Sequence, residues 1–286
     1  MAVKRILLAL ALFLFLASPL RAQTEAVCEA VYGDGATQFT LATGSPGELG
    51  LLEALASAFN AKNGTKLCWI KAGSGDSLKM LKEKKADMIM VHAPAAEKKA
   101  VEDGWASKRT LIGSNEFYIV GPKSDPAGIA SALNAADSYT KIAQGKALFF
   151  SRGDNSGTHK KEQAVWEKAG IKPEGDWYKV TKDFMMATLK KANDENGYFM
   201  TDSSTWVQAK KDMPNLTILY KGDPMLINTY HALAAGSPET PGQKAGAAFI
   251  DFVASPDGQK IITEYGAAEY GEALYNDAAY AKQYDH

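Results

Sequence analysis

The sequence predicts an α/β protein of two lobes, each a mixed sheet flanked by helices. Three observations predict it. Short apolar runs alternate with amphipathic helical stretches along the chain, the pattern of β-α-β units. Two long extended stretches, at residues 115–120 and 227–235, frame a middle portion written in the same style. No internal repeat or low-complexity linker breaks the 286 residues, of which 46% are hydrophobic, 23% charged and 10% aromatic. That composition excludes disordered and collagen-like classes.

In chain order, residues 38–43 read as a strand. Residues 48–60 follow as a helix with Leu51, Leu52, Leu55, Ala58 and Phe59 on one face. A strand at 67–71, a helix at 77–83 and a buried strand at 88–91 come next. Residues 115–120 form another strand, which Gly121-Pro122 punctuates. The middle holds strands at 147–150, 198–201 and 216–220, with helices at 157–169 and 184–195. After the extended stretch 227–235, helices at 242–253 and 256–265 complete the pattern. The expected organisation is a signal peptide at 1–22, a discontinuous first lobe at 38–121 and 229–266, a second lobe at 122–228, and a tail at 267–286. A cleft between two such lobes receives helix N-termini from the carboxyl ends of strands, which is where ligands bind in open α/β sheets.

The first residues read as an address. Lys4-Arg5 form a positive start, residues 6–17 an apolar run, Ser18-Pro19 a break, and Ala22 a small residue at a cleavage point before Gln23. The run is shorter than the roughly 20 apolar residues of a spanning helix, so export out of the cytoplasm with cleavage is expected. Beyond residue 22, 29 Lys and Arg stand against 33 Asp and Glu. This acidic balance argues against a nucleic-acid or anionic-membrane binder. In an oxidising compartment the pair Cys28 and Cys68 suggests one disulfide, two unpaired thiols being the alternative. No His or Cys sits at metal-ligand spacing near them, and neither a metal nor a cofactor is expected.

The most informative stretch runs from Phe149-Phe150 through Ser151-Arg152-Gly153-Asp154-Asn155-Ser156-Gly157-Thr158-His159. A buried strand passes into a polar turn and then a helix, so free backbone N–H groups and the positive helix end favour an anion. Arg152 adds a planar fork of donors, and Ser156 and Thr158 add hydroxyls. The first strand ends alike in Thr43-Gly44-Ser45-Pro46-Gly47. The candidate ligand set is Thr43, Ser45, Arg152, Ser156 and Thr158, on a wall free of neutralising carboxylates. Each element also has a plainer reading: Ser and Thr before helices are common N-caps, and Arg152 could pair with Asp154. Gly73-Ser74-Gly75 lacks a third Gly and a Walker lysine and reads as a turn and cap. Ser156 and His159 allow a remote alternative, a serine hydrolase, but no Gly-x-Ser-x-Gly elbow accompanies them. No catalytic residue is assigned.

Several motifs resemble the tungstate-binding proteins of ABC importers. These are Ser151-Arg152-Gly153-Asp154-Asn155-Ser156-Gly157-Thr158-His159-Lys160-Lys161-Glu162, Val91-His92-Ala93-Pro94-Ala95-Ala96-Glu97, Val120-Gly121-Pro122-Lys123-Ser124-Asp125-Pro126-Ala127-Gly128, Trp177-Tyr178 and Ala187-Thr188-Leu189. Their order and spacing run through residues 38–264. The resemblance implies a type II periplasmic binding protein that closes on tungstate, and sometimes molybdate, before docking on a membrane permease. It also implies that Arg152, Ser45 and Thr158 reach the anion. The chain departs from the family where Leu49 replaces a hydroxyl, Gly44 and Pro46 replace Thr, and Ser203 replaces an Arg. Each lost charge-assisted hydrogen bond is worth about 1.5–3 kcal/mol. The alternative on the same scaffold is another anionic solute, an organic acid or sulfonate, with its body against Leu49, Phe184 or Trp206. The expected partners are the small anion and the permease, with no nucleic acid, and the expected state is a monomer.

Overall fold

The computed structural model describes residues 27–285; the expected signal peptide lies outside the described residues. Among the described residues eleven strands carry the fold: β1 Ala30–Tyr32, β2 Thr37–Thr43, β3 Thr65–Lys71, β4 Met88–Val91, β5 Ala106–Pro122, β6 Phe149–Ser151, β7 Tyr178–Val180, β8 Tyr198–Asp202, β9 Leu216–Tyr220, β10 Ile227–Ala235 and β11 Asn276–Asp277. They hydrogen-bond in the order β1-β3-β2-β4-β10-β5-β8-β6-β7, with β9 and β11 also on β5. Strand β2 is parallel to β3 and β4, and β6 is parallel to β7 and β8. Every pair involving β5 or β10 is antiparallel.

The seventeen-residue β5 holds the two halves together. Residues 106–116 pair with β10, whereas Phe117 to Pro122 pair with β8 and β9. The chain returns through a short 3-10 turn, Pro224–Leu226, directly into β10.

In the first half, period-two alternation builds two cores. Phe39, Leu41, Leu67, Trp69, Met88 and Met90 face one side, with Leu55 and Phe59 of the helix Leu51–Asn63 and Phe249 and Ile250 of the helix Pro241–Ala254. Ala42, Cys68, Ile70, Ile89 and Val91 face the other, against Leu78 and Leu81 of the helix Ser74–Lys82. The second half has a core of its own, centred on Phe117, Tyr139, Phe149, Trp166, Tyr198 and Phe199.

The helix expected at 48–60 is two elements, Ser45–Glu48 and Leu51–Asn63. Gly50 separates them at φ 85°, where any Cβ would stand 2.3 Å from the Tyr265 hydroxyl. The helices Pro94–Glu102, Ala135–Gly145 and Ser203–Ala209 and the single turns Ala267–Tyr270 and Ala278–Ala281 were not expected. Pro94–Glu102 buries only Glu97 and Ala100, so no apolar stripe announces it. Ala135–Gly145 does carry a readable cap, Asn134 accepting from the Asp137 N–H, and buries Ala135, Ser138, Tyr139 and Ile142. Residues 267–285 pack back on the first half, with β11 on Ser114 and Gly113 and Asp285 bonded to Arg109 at 3.0 Å.

Cys28 and Cys68 form a disulfide with Cα atoms 5.3 Å apart, tying the segment before β1 to β3. They enclose a sequence separation of 40, and closing a loop of that size stabilises by roughly 2–4 kcal/mol. The double variant C28S/C68S is expected to lose that amount, seen as a lower urea midpoint. An unchanged midpoint contradicts it.

Candidate functional site

The carboxyl ends of β2, β3 and β4 in one half and of β6 in the other converge on one pocket. Thr43, Gly44, Ser45, Pro46 and Glu48 line it from the end of β2, Ala72, Gly73 and Ser74 from beyond β3, and Met90 and His92 from β4. Tyr230 of β10 closes the floor, and Arg152, Ser156 and Phe184 come from the other half. Its free volume is about 10 Å³, near the minimum for one water-sized guest. A larger chamber of about 340 Å³ adjoins it and shares Glu48, with Leu49, Trp69, Lys71, Met186 and Gln208 among its walls.

Local chain geometry aims Arg152 inward. Gly153 and Asn155 take φ 58° and 59°, folding the chain back on itself after β6. A Cβ on Gly153 would meet Val180 at 2.2 Å, so this position requires glycine. Arg152 is only 4% exposed. Its Nε and Nη2 donate to Asp154 Oδ2 at 3.1 and 2.6 Å, while Asp154 Oδ1 accepts from the Ser156 N–H at 3.1 Å. Nη1 takes no part in the pair.

Four helices start at the lining residues. Gly44, Gly73 and Phe184 precede Ser45–Glu48, Ser74–Lys82 and Met185–Glu195 without a capping side chain, and Ser156 caps Gly157–Lys168. First-turn N–H groups have no partner inside their helix, so the pocket wall is rich in backbone donors and positive helix ends.

His92 has a fixed tautomer. Ser204 Oγ donates to the Leu274 carbonyl, so it accepts from Asn115 Nδ2, which also reaches Asp202 Oδ1. Asn115 Oδ1 therefore accepts from Asn228 Nδ2 at 2.8 Å, and Asn228 Oδ1 takes a hydrogen from His92 Nδ1 at 2.8 Å. Burial first, and then the Arg152 cation, push the His92 pKa down to about 3. His92 is thus a neutral ring, and Arg152 is the one formal cation among the lining residues.

The five predicted ligands fare differently. Thr43, Ser45, Arg152 and Ser156 all line the pocket. The Thr43 hydroxyl, however, donates to the Met90 carbonyl at 2.9 Å, and the Ser156 hydroxyl accepts from the His159 N–H at 3.2 Å. Thr158 is buried with no hydrogen-bond partner for Oγ1 and is not among the lining residues. The expectation of a wall free of carboxylates is corrected: Glu48 lines the pocket and Asp154 holds Arg152. Both are neutralised, Glu48 by Lys71 at 2.6 Å.

Sequence reasoning missed Ser74, His92, Glu48 and Tyr230. Ser74 follows the same strand–glycine–serine–helix pattern as Ser45, a signal that was legible, and its hydroxyl accepts from the His92 N–H at 3.2 Å. The departures at Leu49 and Ser203 fall outside the pocket lining: Leu49 faces the larger chamber, and Ser203 accepts from the Glu116 N–H. Trp206 belongs to the second core, so of the three expected platforms for an organic body only Phe184 faces the pocket. His159 Nδ1 accepts from the Asn155 N–H at 3.1 Å, and no bond joins that ring to the Ser156 hydroxyl.

Fold and site together define a binding protein of the two-halved periplasmic class. A family profile described as PBP superfamily domain matches residues 30–257. The tungstate-binding protein TupA of Peptoclostridium acidaminophilum is 35% identical over 228 residues, 78% of this chain and 79% of that one. The structure of the tungstate ABC transporter protein from Geobacter sulfurreducens superposes with TM-score 0.73 at 36% identity, over 81% of this chain and 100% of that one. The tungstate-binding protein TupA of Desulfovibrio alaskensis G20 gives TM-score 0.69 at 36% identity, over 85% and 99%. The chain belongs to the PBP superfamily and, within it, to the family of these TupA proteins.

The neutral His92 makes stability depend on pH. An unfolded imidazole titrates at about 6.5, whereas the folded one titrates at about 3. Between these values the unfolded chain binds a proton that the folded chain refuses. The contribution is therefore complete above pH 6.5 and is lost as pH falls toward 3. H92Q is expected to flatten the fall of Tm between pH 6.5 and 4, measured by calorimetry. An identical slope in the variant contradicts it.

Proposed function

We propose that this protein is the exported solute receptor of an ABC importer and captures a tetrahedral oxyanion, tungstate or molybdate. The observation that carries the reading is a buried Arg152 set among helix N-termini, in a pocket lined from both halves of the chain. A fully deprotonated oxyanion offers acceptors alone, and this wall offers mainly donors. The tungstate named in its relatives TupA of P. acidaminophilum and of D. alaskensis supports the choice of ion.

The pocket needs to widen to take four oxygens. The two places where the chain passes between halves, 116–117 in β5 and 221–227 before β10, are the proposed hinges, with 38–121 and 229–266 moving against 122–228. Closure removes water and strengthens the remaining hydrogen bonds. A membrane permease touching both lobes is the proposed partner, the periplasm the proposed compartment, residues 1–22 the proposed leader, and a monomer the proposed state. Ser45, Arg152 and Ser156 are the proposed contacts, together with the N–H groups of Ser74 and Gly157. The larger chamber favours a second reading, an organic acid or sulfonate whose anionic end sits at Arg152 and whose body occupies that space.

Isothermal titration with tungstate, molybdate, sulfate, phosphate, and short organic acids and sulfonates separates the two. Tungstate or molybdate is expected to bind tightest, and R152E to lose at least a hundredfold in affinity, since it removes a buried charge-assisted donor and adds a repelling charge. Unchanged affinity in R152E sinks the site, and preference for an organic acid selects the second reading.

A further inference from the structure

Glu48 poses a difficulty for an anion receptor. Glu48 lines both the inner pocket and the larger chamber, so a dianion held at Arg152 has an acidic residue in its wall. Lys71, at the end of β3, resolves this. Its Nζ lies 2.6 Å from Glu48 Oε1, and the two side chains are only 28% and 17% exposed, so solvent screens the pair weakly. The same Nζ sits 4.5 Å from the centroid of the Phe184 ring, on the other half of the molecule. The Arg152 guanidinium carbon is 5.6 Å from that centroid. Phe184 is therefore an aromatic face touched by one cation from each half. Its own segment is tied to Arg152, because the Lys182 N–H donates to the Arg152 carbonyl at 2.8 Å.

We propose that Lys71 is a positioning residue with two tasks beside the pocket: it neutralises Glu48, and it latches the first half to Phe184 of the second. The inference rests on the anion-receptor reading above. Neutralisation makes the wall acceptable to a dianion. The cation–π contact forms only when the halves are together, so it favours the arrangement that presents Arg152 to the guest. A lysine suits both tasks, since its ammonium can face a carboxylate and a ring at once.

Titration with sodium tungstate, by calorimetry and stopped-flow, tests it. K71M is expected to bind at least about tenfold more weakly, because an unpaired carboxylate then faces the ion. K71R is expected to stay within about threefold, as Arg also pairs and stacks. Adding E48Q to K71M is expected to recover most of the loss, which a purely structural lysine would not permit. F184L is expected to speed dissociation about threefold or more in the unmodified protein and to add distinctly less in K71M, where only its contact with Arg152 is left to lose. K71M binding within twofold of the unmodified protein, no recovery in K71M/E48Q, or additive effects of F184L and K71M would each overturn the inference.

A measurement without any anion separates this from the functional reading. Spin labels at K62C and K190C, both on exposed side chains of opposite halves, report the inter-half distance by pulsed resonance. K71M is expected to broaden and lengthen that distribution even if tungstate does not bind, and an unchanged distribution overturns the latch. Failure of the unmodified protein to bind tungstate counts against the functional reading alone.

Discussion

A guanidinium taken out of water must be paired, or its burial costs several kcal/mol. At Arg152 a single carboxylate meets that demand, and the rest of the site is arranged around it. Asp154 gives one oxygen to the guanidinium and the other to the Ser156 N–H, so the residue that neutralises the cation also fixes the start of the helix Gly157–Lys168. Left-handed turns at Gly153 and Asn155 make this possible within four residues. The arginine is held rigidly at the mouth of a helix, with Nη1 outside the pair. Such a group loses little freedom when a guest arrives, which is what preorganised recognition requires.

The strand order explains why the donors converge. Parallel pairing of β2, β3 and β4 places three strand ends at one edge, and parallel pairing of β6 with β7 and β8 does the same in the second half. The long antiparallel β5 spans both sets, so the two edges face each other over a pocket whose walls come from distant parts of the chain. Charge is balanced locally there. Asp154 is matched to Arg152 and Glu48 to Lys71, while His92 is kept neutral by burial. The attraction for an anion thus rests on backbone dipoles and on the fraction of the Arg152 field that Asp154 leaves uncompensated, a softer field than a bare cationic pocket would give.

Much of this was legible without coordinates. The alternation of Phe39, Leu41, Met88 and Met90 against Ala42, Ile89 and Val91 is a property of the strands themselves, and so is the length of the run 227–235. Gly153 and Ser156 announce the turn and cap, and the twelve residues from Ser151 to Glu162 carry the family. These are local facts, set by side-chain period and backbone freedom over a few residues. The helix Pro94–Glu102 was hidden because its buried face is Glu97 rather than an apolar stripe.

Tertiary structure alone decided which of those residues share a wall. Thr43, His92, Arg152 and Tyr230 meet across separations far beyond any local pattern, and whether a hydroxyl donates to a guest or to the protein depends on neighbours the sequence does not name. The Met90 carbonyl claims Thr43, the His159 N–H claims Ser156, and Asn228 sets the proton on His92. A hydrogen bond is a geometric relation between two groups, so composition and spacing specify the groups while the folded chain specifies the pairs.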